Sequence, residues 1–247
     1  MSVVMITGAT SGIGKQLAMD YAREGWSVLA CGRNAAALEE LAGQSASSIT
    51  PICFDVTDPA ATHQALQHLP QLPDVWLLNA GDCEYINDGV IDAALFQRVF
   101  SVNVLGLVNV IEAIQQHFKS GQRIAIMGSV ASEVALPRAE AYGASKAAVS
   151  YLARTLTLDL RHKGIDVTTI FPGFVQTPLT DKNDFAMPML ITAEQASKRI
   201  RNGLRKGLTT IYFPFRFTAI LRLIGVLPYS WQTWLIGKMF NDQGESA

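Results

Sequence analysis

The chain has 247 residues, 49% hydrophobic and 17% charged, which supports a large core and excludes a disordered chain. A formal net charge of −1 gives no overall signal for nucleic acid. Three cysteines (Cys31, Cys53 and Cys83) and four scattered histidines form neither a disulfide framework nor a metal-ligand pattern, so no metal site is expected.

The chain opens "MSVVMITGAT", with no basic leader and no long apolar run. No stretch of about 18 apolar residues stands out, so a cytoplasmic protein without a spanning helix is expected. "VVMIT" at 3–7 is a β-branched run met at once by glycines. A helical segment follows over 13–24 and stops at Gly25. Strands are predicted at 27–31, at "ITPICF" and at "DVWLLN"; Cys31 and Cys53 fall in such runs and are expected to be buried. Asn34 is placed to cap a helix that ends before Gly43. One long helix is predicted over 92–118, a strand over 123–128, a second long helix over 139–161 and a strand over 166–171. Thr192 caps a further helix, and "TTIYF" at 209–213 is the seventh strand.

Strands alternate with helices, and the strands are continuous apolar runs, as in sheets covered on both faces. The expected fold is α/β, doubly wound, with a seven-stranded parallel sheet and a helical C-terminal extension. Residues 1–247 read as a single domain, with 178–191 as a lid and 214–240 as a tail. Ligands of such sheets bind beyond the carboxyl ends of the strands, where the motifs below fall.

"TGATSGIG" at 7–14 joins the first strand to the first helix. Gly8 permits a tight turn, Gly12 a close approach of backbone to pyrophosphate, and Gly14 a helix lying close to the sheet. The cofactor-facing set expected here is Gly8, Thr10, Ser11, Gly12, Ile13 and Gly14. The second strand ends in "ACGRN", with Gly32 and Arg33 where sites for an unphosphorylated ribose place an acid. A guanidinium there can grip a 2′-phosphate, which favours NADP(H); the alternative is a solvated loop arginine. Asp55 and Val56 are placed to border an adenine, and Asn79, Ala80 and Gly81 ("NAG") to line the cofactor's edge.

"AYGASKAAVS" keeps Tyr142 and Lys146 one helical turn apart among small residues. A phenol is a poor acid–base at neutral pH unless shifted, and an ammonium on the same face favours phenolate. With TGATSGIG, the DV after the third strand, NAG, "SVNVLG", "MGSVAS" and "PGFVQT", the chain resembles the short-chain dehydrogenase/reductase family, in its compact branch, over residues 7 to 177. The resemblance implies a Rossmann fold and a catalytic tetrad of Asn103, Ser129, Tyr142 and Lys146. Tyr142 would be the general acid/base, Ser129 would orient the substrate oxygen, and Lys146 would hold the nicotinamide ribose. Asn103 would kink its helix and hold a water that passes protons to the lysine. Tyr142 and Lys146 thus also count as cofactor-binding, with Pro172, Gly173, Val175 and Thr177 after the sixth strand. Pairing of the two long helices between subunits, to give a homodimer or homotetramer, is implied as well.

The lid's Phe185, Met187, Met189 and Leu190 suggest apolar substrate contacts or a packed loop, and Cys83 and Tyr85 are candidates for the pocket border. From 195 to 240 there are eight bases (Lys198, Arg199, Arg201, Arg205, Lys206, Arg216, Arg222 and Lys238), eight aromatics and no acid. Pro228 breaks this tail into two short helices. They either cover the pocket, meet a partner subunit, or give peripheral contact with an anionic membrane. The expected function is NADP(H)-dependent interconversion of a carbonyl and a secondary alcohol by hydride transfer, on an apolar or lipid-like small molecule. The rival is a non-catalytic NADP(H)-binding sensor or scaffold. No nucleic-acid partner is expected.

Overall fold

The computed structural model describes residues 1–44, 48–87, 89–183, 185 and 187–241. Strands β1 (Val3–Thr7), β2 (Ser27–Gly32), β3 (Ile49–Cys53), β4 (Val75–Leu78), β5 (Arg123–Met127), β6 (Asp166–Pro172) and β7 (Thr210–Phe213) form one sheet. Its order is β3-β2-β1-β4-β5-β6-β7, parallel at every pairing. All seven predicted strands are present, with no end moved by more than one residue. The chain winds outward from β1 to β3 and then crosses back to β4, which pairs with the other side of β1, so the winding reverses between β1 and β4 and opens a crevice at that switch point.

Alternation along the strands sends side chains to two cores. Val4 and Ile6 of β1 face α1 (Gly12–Arg23), α2 (Ala35–Gly43) and α7 (Ala193–Arg205), through Leu17, Leu38 and Ile200. Val3 and Met5 face α3 (Pro59–Leu66), α5 (Gly106–Ile114) and α6 (Glu140–Arg161), through Leu66, Val110 and Val149. Asn34 accepts from the Ala37 N–H as predicted, and Thr192 forms a full capping box with Gln195. Cys31 is buried, but Cys53 is exposed because β3 is the sheet's edge strand.

The predicted helix over 92–118 is not uniform. It comprises α4 (Ala93–Phe100), a π-helical turn at Ser101–Leu105, α5, and a 3-10 turn at Gln115–His117. The π turn centres on Asn103, whose buried side chain bonds outside the helix and so draws the ladder open. Joined, Ala93–His117 is long and apolar enough to cross a membrane by length and composition, contrary to the sequence expectation. Its Leu107, Val110 and Ile114 pack in the core beneath the sheet.

After β7, α8 (Phe215–Gly225) and α9 (Tyr229–Asn241) flank Pro228 as predicted. They build a third cluster, in which Phe217, Leu221, Ile224 and Ile236 meet Val130, Val134 and Phe171. Residues 184 and 186 of the predicted lid, and 242–247 of the chain, lie outside the described residues.

Candidate active site

Thr7 ends β1 and ties the first turn to the turn after β4. Its hydroxyl accepts the N–H groups of Asn79 (2.9 Å) and Ala80 (3.0 Å), and Asn79 Nδ2 donates back to the Thr7 carbonyl at 3.0 Å. Gly8 and Gly12 hold φ of +67° and +50°, a region costly for other residues. A Cβ on Gly14 would stand 2.1 Å from the Gly8 carbonyl oxygen, so Gly14 lets α1 seat against the turn. Ser11 opens α1 without capping it, which leaves first-turn N–H groups directed at the crevice.

A cavity of about 410 Å³ occupies the crevice. It is lined by Gly8, Thr10, Ser11, Gly12, Ile13, Arg33, Asp55, Val56, Asn79, Ala80, Gly81, Tyr142, Lys146, Pro172, Gly173, Val175 and Thr177. Of the expected cofactor set only Gly14 is absent, because it packs one layer beneath. The sequence reading missed Thr7, Asp82, Val102, Gly128 and Thr180 among the lining residues. Thr7 and Gly128 sit inside motifs already singled out. Thr180 carried no such signal, yet its hydroxyl accepts the Thr177 N–H at 2.9 Å and donates to the Val175 carbonyl at 2.7 Å, fixing that loop.

The structure brings the expected tetrad together. Asn103 is clamped to the turn after β4: its Oδ1 accepts the Asp82 N–H at 2.7 Å and its Nδ2 donates to the Asp82 carbonyl at 2.9 Å. Nδ2 also donates to Ser145 Oγ at 2.9 Å, and Ser145 Oγ donates to the Tyr142 carbonyl at 2.7 Å. Lys146 Nζ donates to the Met127 carbonyl at 3.0 Å and lies 5.8 Å from the Tyr142 ring centroid. Ser129, at the end of β5, accepts the Ala131 N–H and hydrogen-bonds the Tyr142 phenol. Asn103 and Ser129 do not line the cavity; Asn103 stands behind Gly81.

Burial dominates the electrostatics. It pushes the Tyr142 phenol well above its usual range, with Cys83 adding to the rise and the Ser129 hydrogen bond opposing it. The same desolvation brings Lys146 down to about 8. The sequence expectation that the ammonium sets the phenol is therefore reversed in the protein alone, because burial penalises both charges. Cys83, raised to about 11 by burial, feels the charge of Lys146, and it and Tyr85 stand near Tyr142, but neither of the two expected pocket-border residues lines the cavity. In the lid, Phe185 turns inward, edge-on to Tyr85 at 5.1 Å and to Phe174 at 6.1 Å. Met189 and Leu190 face outward instead, which removes two of the four expected apolar contacts.

A family profile described as short chain dehydrogenase matches residues 2–187. The chain belongs to the short-chain dehydrogenase family. An uncharacterized oxidoreductase of Myxococcus xanthus is 32% identical over 232 residues, which is 91% of this chain and 92% of the relative. Serine 3-dehydrogenase of Rhizobium radiobacter is 34% identical over 72% of this chain and 73% of its own. A short-chain dehydrogenase of Burkholderia cenocepacia, solved with NADP, superposes with a TM-score of 0.83 at 21% identity, covering 95% of this chain and 97% of its own. One of Burkholderia phymatum, solved with NAD, gives 0.80 at 22% identity over 90% and 92%. These two likenesses are of fold. The chemistry of short-chain dehydrogenases is hydride transfer between an alcohol and a carbonyl with a nicotinamide dinucleotide. The residues fit that group: a glycine cradle that added Cβ atoms would fill, an uncapped helix start and a cavity between them.

Proposed function

We propose that this short-chain dehydrogenase uses NADP(H) to interconvert a carbonyl and a secondary alcohol on an apolar substrate, with Tyr142 as general acid/base. The observation that carries the reading is the Tyr142 phenol, hydrogen-bonded to Ser129, with Lys146 one turn away on the cavity wall. The nicotinamide supplies the hydride and, when oxidised, a positive ring. Tyr142 gives its Oη proton to the substrate oxygen as negative charge develops there, and Ser129 Oγ positions that oxygen. Lys146 holds the ribose and steadies the phenolate. Asn103 acts through Ser145 and Asp82, keeping the first turn of α6 and the turn after β4 in register. The apolar substrate class is supported by the rings of Tyr85, Phe185, Phe174 and Phe217, which follow one another beside the phenol. A panel of aliphatic and aromatic ketones and aldehydes, followed by loss of reduced-cofactor absorbance, tests the reading. Tight NADPH binding with no turnover across the panel would favour a sensor.

The preference for NADP(H) rests on Arg33, exposed at the end of β2 and on the cavity rim. A charge-assisted contact is worth roughly 1.5–3 kcal/mol. Arg33→Ala should therefore weaken NADPH by about tenfold to a hundredfold and NADH by little, as read by fluorescence titration. Equal losses for both cofactors would remove Arg33 as the phosphate reader.

The outward faces of the two long helical segments support a reading of self-association. Leu105, Val108, Tyr151 and Leu158 are all exposed there. Light scattering is expected to give a dimer or tetramer, and Tyr151→Glu with Leu158→Glu to lower the mass to that of one chain. A wild-type protein that is monomeric at micromolar concentration would contradict this.

A further inference from the structure

The α8–α9 hairpin packs against the body by one face only. On α8, Phe217, Leu221 and Ile224 are buried. At 100° per residue, Phe215, Leu223 and Val226 share the opposite face, and they are 72%, 67% and 78% exposed. Arg216 and Arg222 flank that stripe on its two sides; Arg222 stacks 4.2 Å above the Tyr212 ring. On α9, Ile236 faces inward, while Trp231 and Trp234 project three residues apart, 62% and 59% exposed. The Lys238 ammonium sits 4.4 Å above the Trp234 ring. Gln232 Nε2 donates to the carbonyls of Gly225 (3.1 Å) and Leu227 (2.8 Å), which pins the turn between the helices.

The charge that the hairpin itself carries is of one sign; Glu133, from the turn after β5, adjoins it at Gly225 and Tyr212. No acidic residue occurs between 195 and 240. Arg201 and Arg205 of α7 are engaged by Asp20 and Glu24 of α1, so the bases offered outward on the hairpin are Arg216, Arg222 and Lys238. A second copy presenting the same patch would bring like charges together across the contact. Basic side chains framing an apolar stripe, with indole rings beside it, instead complement lipid phosphates above an acyl layer. We propose that the α8–α9 hairpin docks the protein on an anionic lipid surface. Phe215, Leu223, Val226 and the two tryptophans enter the headgroup boundary, and Arg216, Arg222 and Lys238 meet the phosphates.

The hairpin adjoins the candidate active site. A Cβ on Gly173, which lines the cavity, would come 2.8 Å from the Phe217 ring, and Phe174 links Phe217 (5.5 Å) to Phe185 (6.1 Å). Docking therefore presents the aromatic side of the site to the bilayer, where a lipophilic substrate concentrates. That consequence rests on the catalytic reading above; the docking itself does not.

Co-sedimentation of the full chain with vesicles decides the matter. Phosphatidylcholine vesicles containing phosphatidylglycerol should retain the protein at low salt. High salt should release it, and phosphatidylcholine alone should hold it at least about tenfold less well. Trp231→Ser with Trp234→Ser, and separately Arg216→Glu with Lys238→Glu, should each lower partitioning by about tenfold or more while circular dichroism stays unchanged. No binding to anionic vesicles at low salt, or wild-type binding by both folded variants, overturns the proposal. A fall in particle mass on light scattering for the tryptophan variant, without a change in vesicle binding, would assign the face to a second copy and overturn it equally.

Discussion

Tyr142→Phe is expected to give a folded protein that binds NADPH normally and turns over about 10²–10⁴-fold more slowly, the usual contribution of a positioned general acid/base. The change removes one oxygen from a half-buried ring whose aromatic contacts persist, so stability should barely move. The lost oxygen carries the proton and the hydrogen bond to Ser129. Calorimetry and cofactor titration separate this result from unfolding. Near-normal turnover in the variant would remove Tyr142 from the chemistry.

Lys146→Met should abolish turnover to a similar degree and, unlike most core substitutions, stabilise the protein alone. Lys146 is 4% exposed, and burial lowers its pKa from 10.5 to about 8. Below pH 8 the ammonium is charged in both folded and unfolded chains, and holding it in the core costs about 3 kcal/mol. Methionine of similar length removes that cost and gives up one hydrogen bond, to the Met127 carbonyl. A net gain of about 1–2 kcal/mol is expected at pH 7, a rise in Tm of a few degrees. Between pH 8 and 10.5 the unfolded chain binds the extra proton, so wild-type stability climbs with pH and the gap closes. A variant less stable than wild type at pH 7, or a gap that widens toward pH 10, would show that the lysine is well solvated or well paired.

These two residues also show how far the sequence reaches. The strands were legible because each is a short apolar run stopped by glycine or a polar turn, and the parallel order followed from helices between them. The crevice set was legible because Gly8, Gly12 and the NAG turn are local requirements of backbone shape. The apolar pattern runs on through the π turn at Ser101–Leu105, so a break there was legible only through the family resemblance, which implied a kink at Asn103; its form depends on the distant Asp82 backbone that draws Asn103 inward. The shift of Tyr142 was misjudged in direction, and that of Lys146 was not foreseen, because burial is a property of the assembled core. The basic tail looked more available than it is: Arg201 and Arg205 meet Glu24 of α1, 177 and 181 residues earlier in the chain. Met189 is exposed and holds a φ of +56°, neither of which its sequence neighbours announce.

The central claim, that a hydride passes between cofactor and substrate in the crevice beside Tyr142, is tested most directly with isotope. NADPH deuterated at the transferring carbon is incubated with the ketone that the panel shows to be consumed fastest, and the product is analysed by mass spectrometry. The account predicts an alcohol carrying one deuterium on its carbinol carbon, formed by the wild type and almost absent with Tyr142→Phe. NADPH that binds tightly while no alcohol gains deuterium, or equal labelling by the Tyr142→Phe variant, would contradict it.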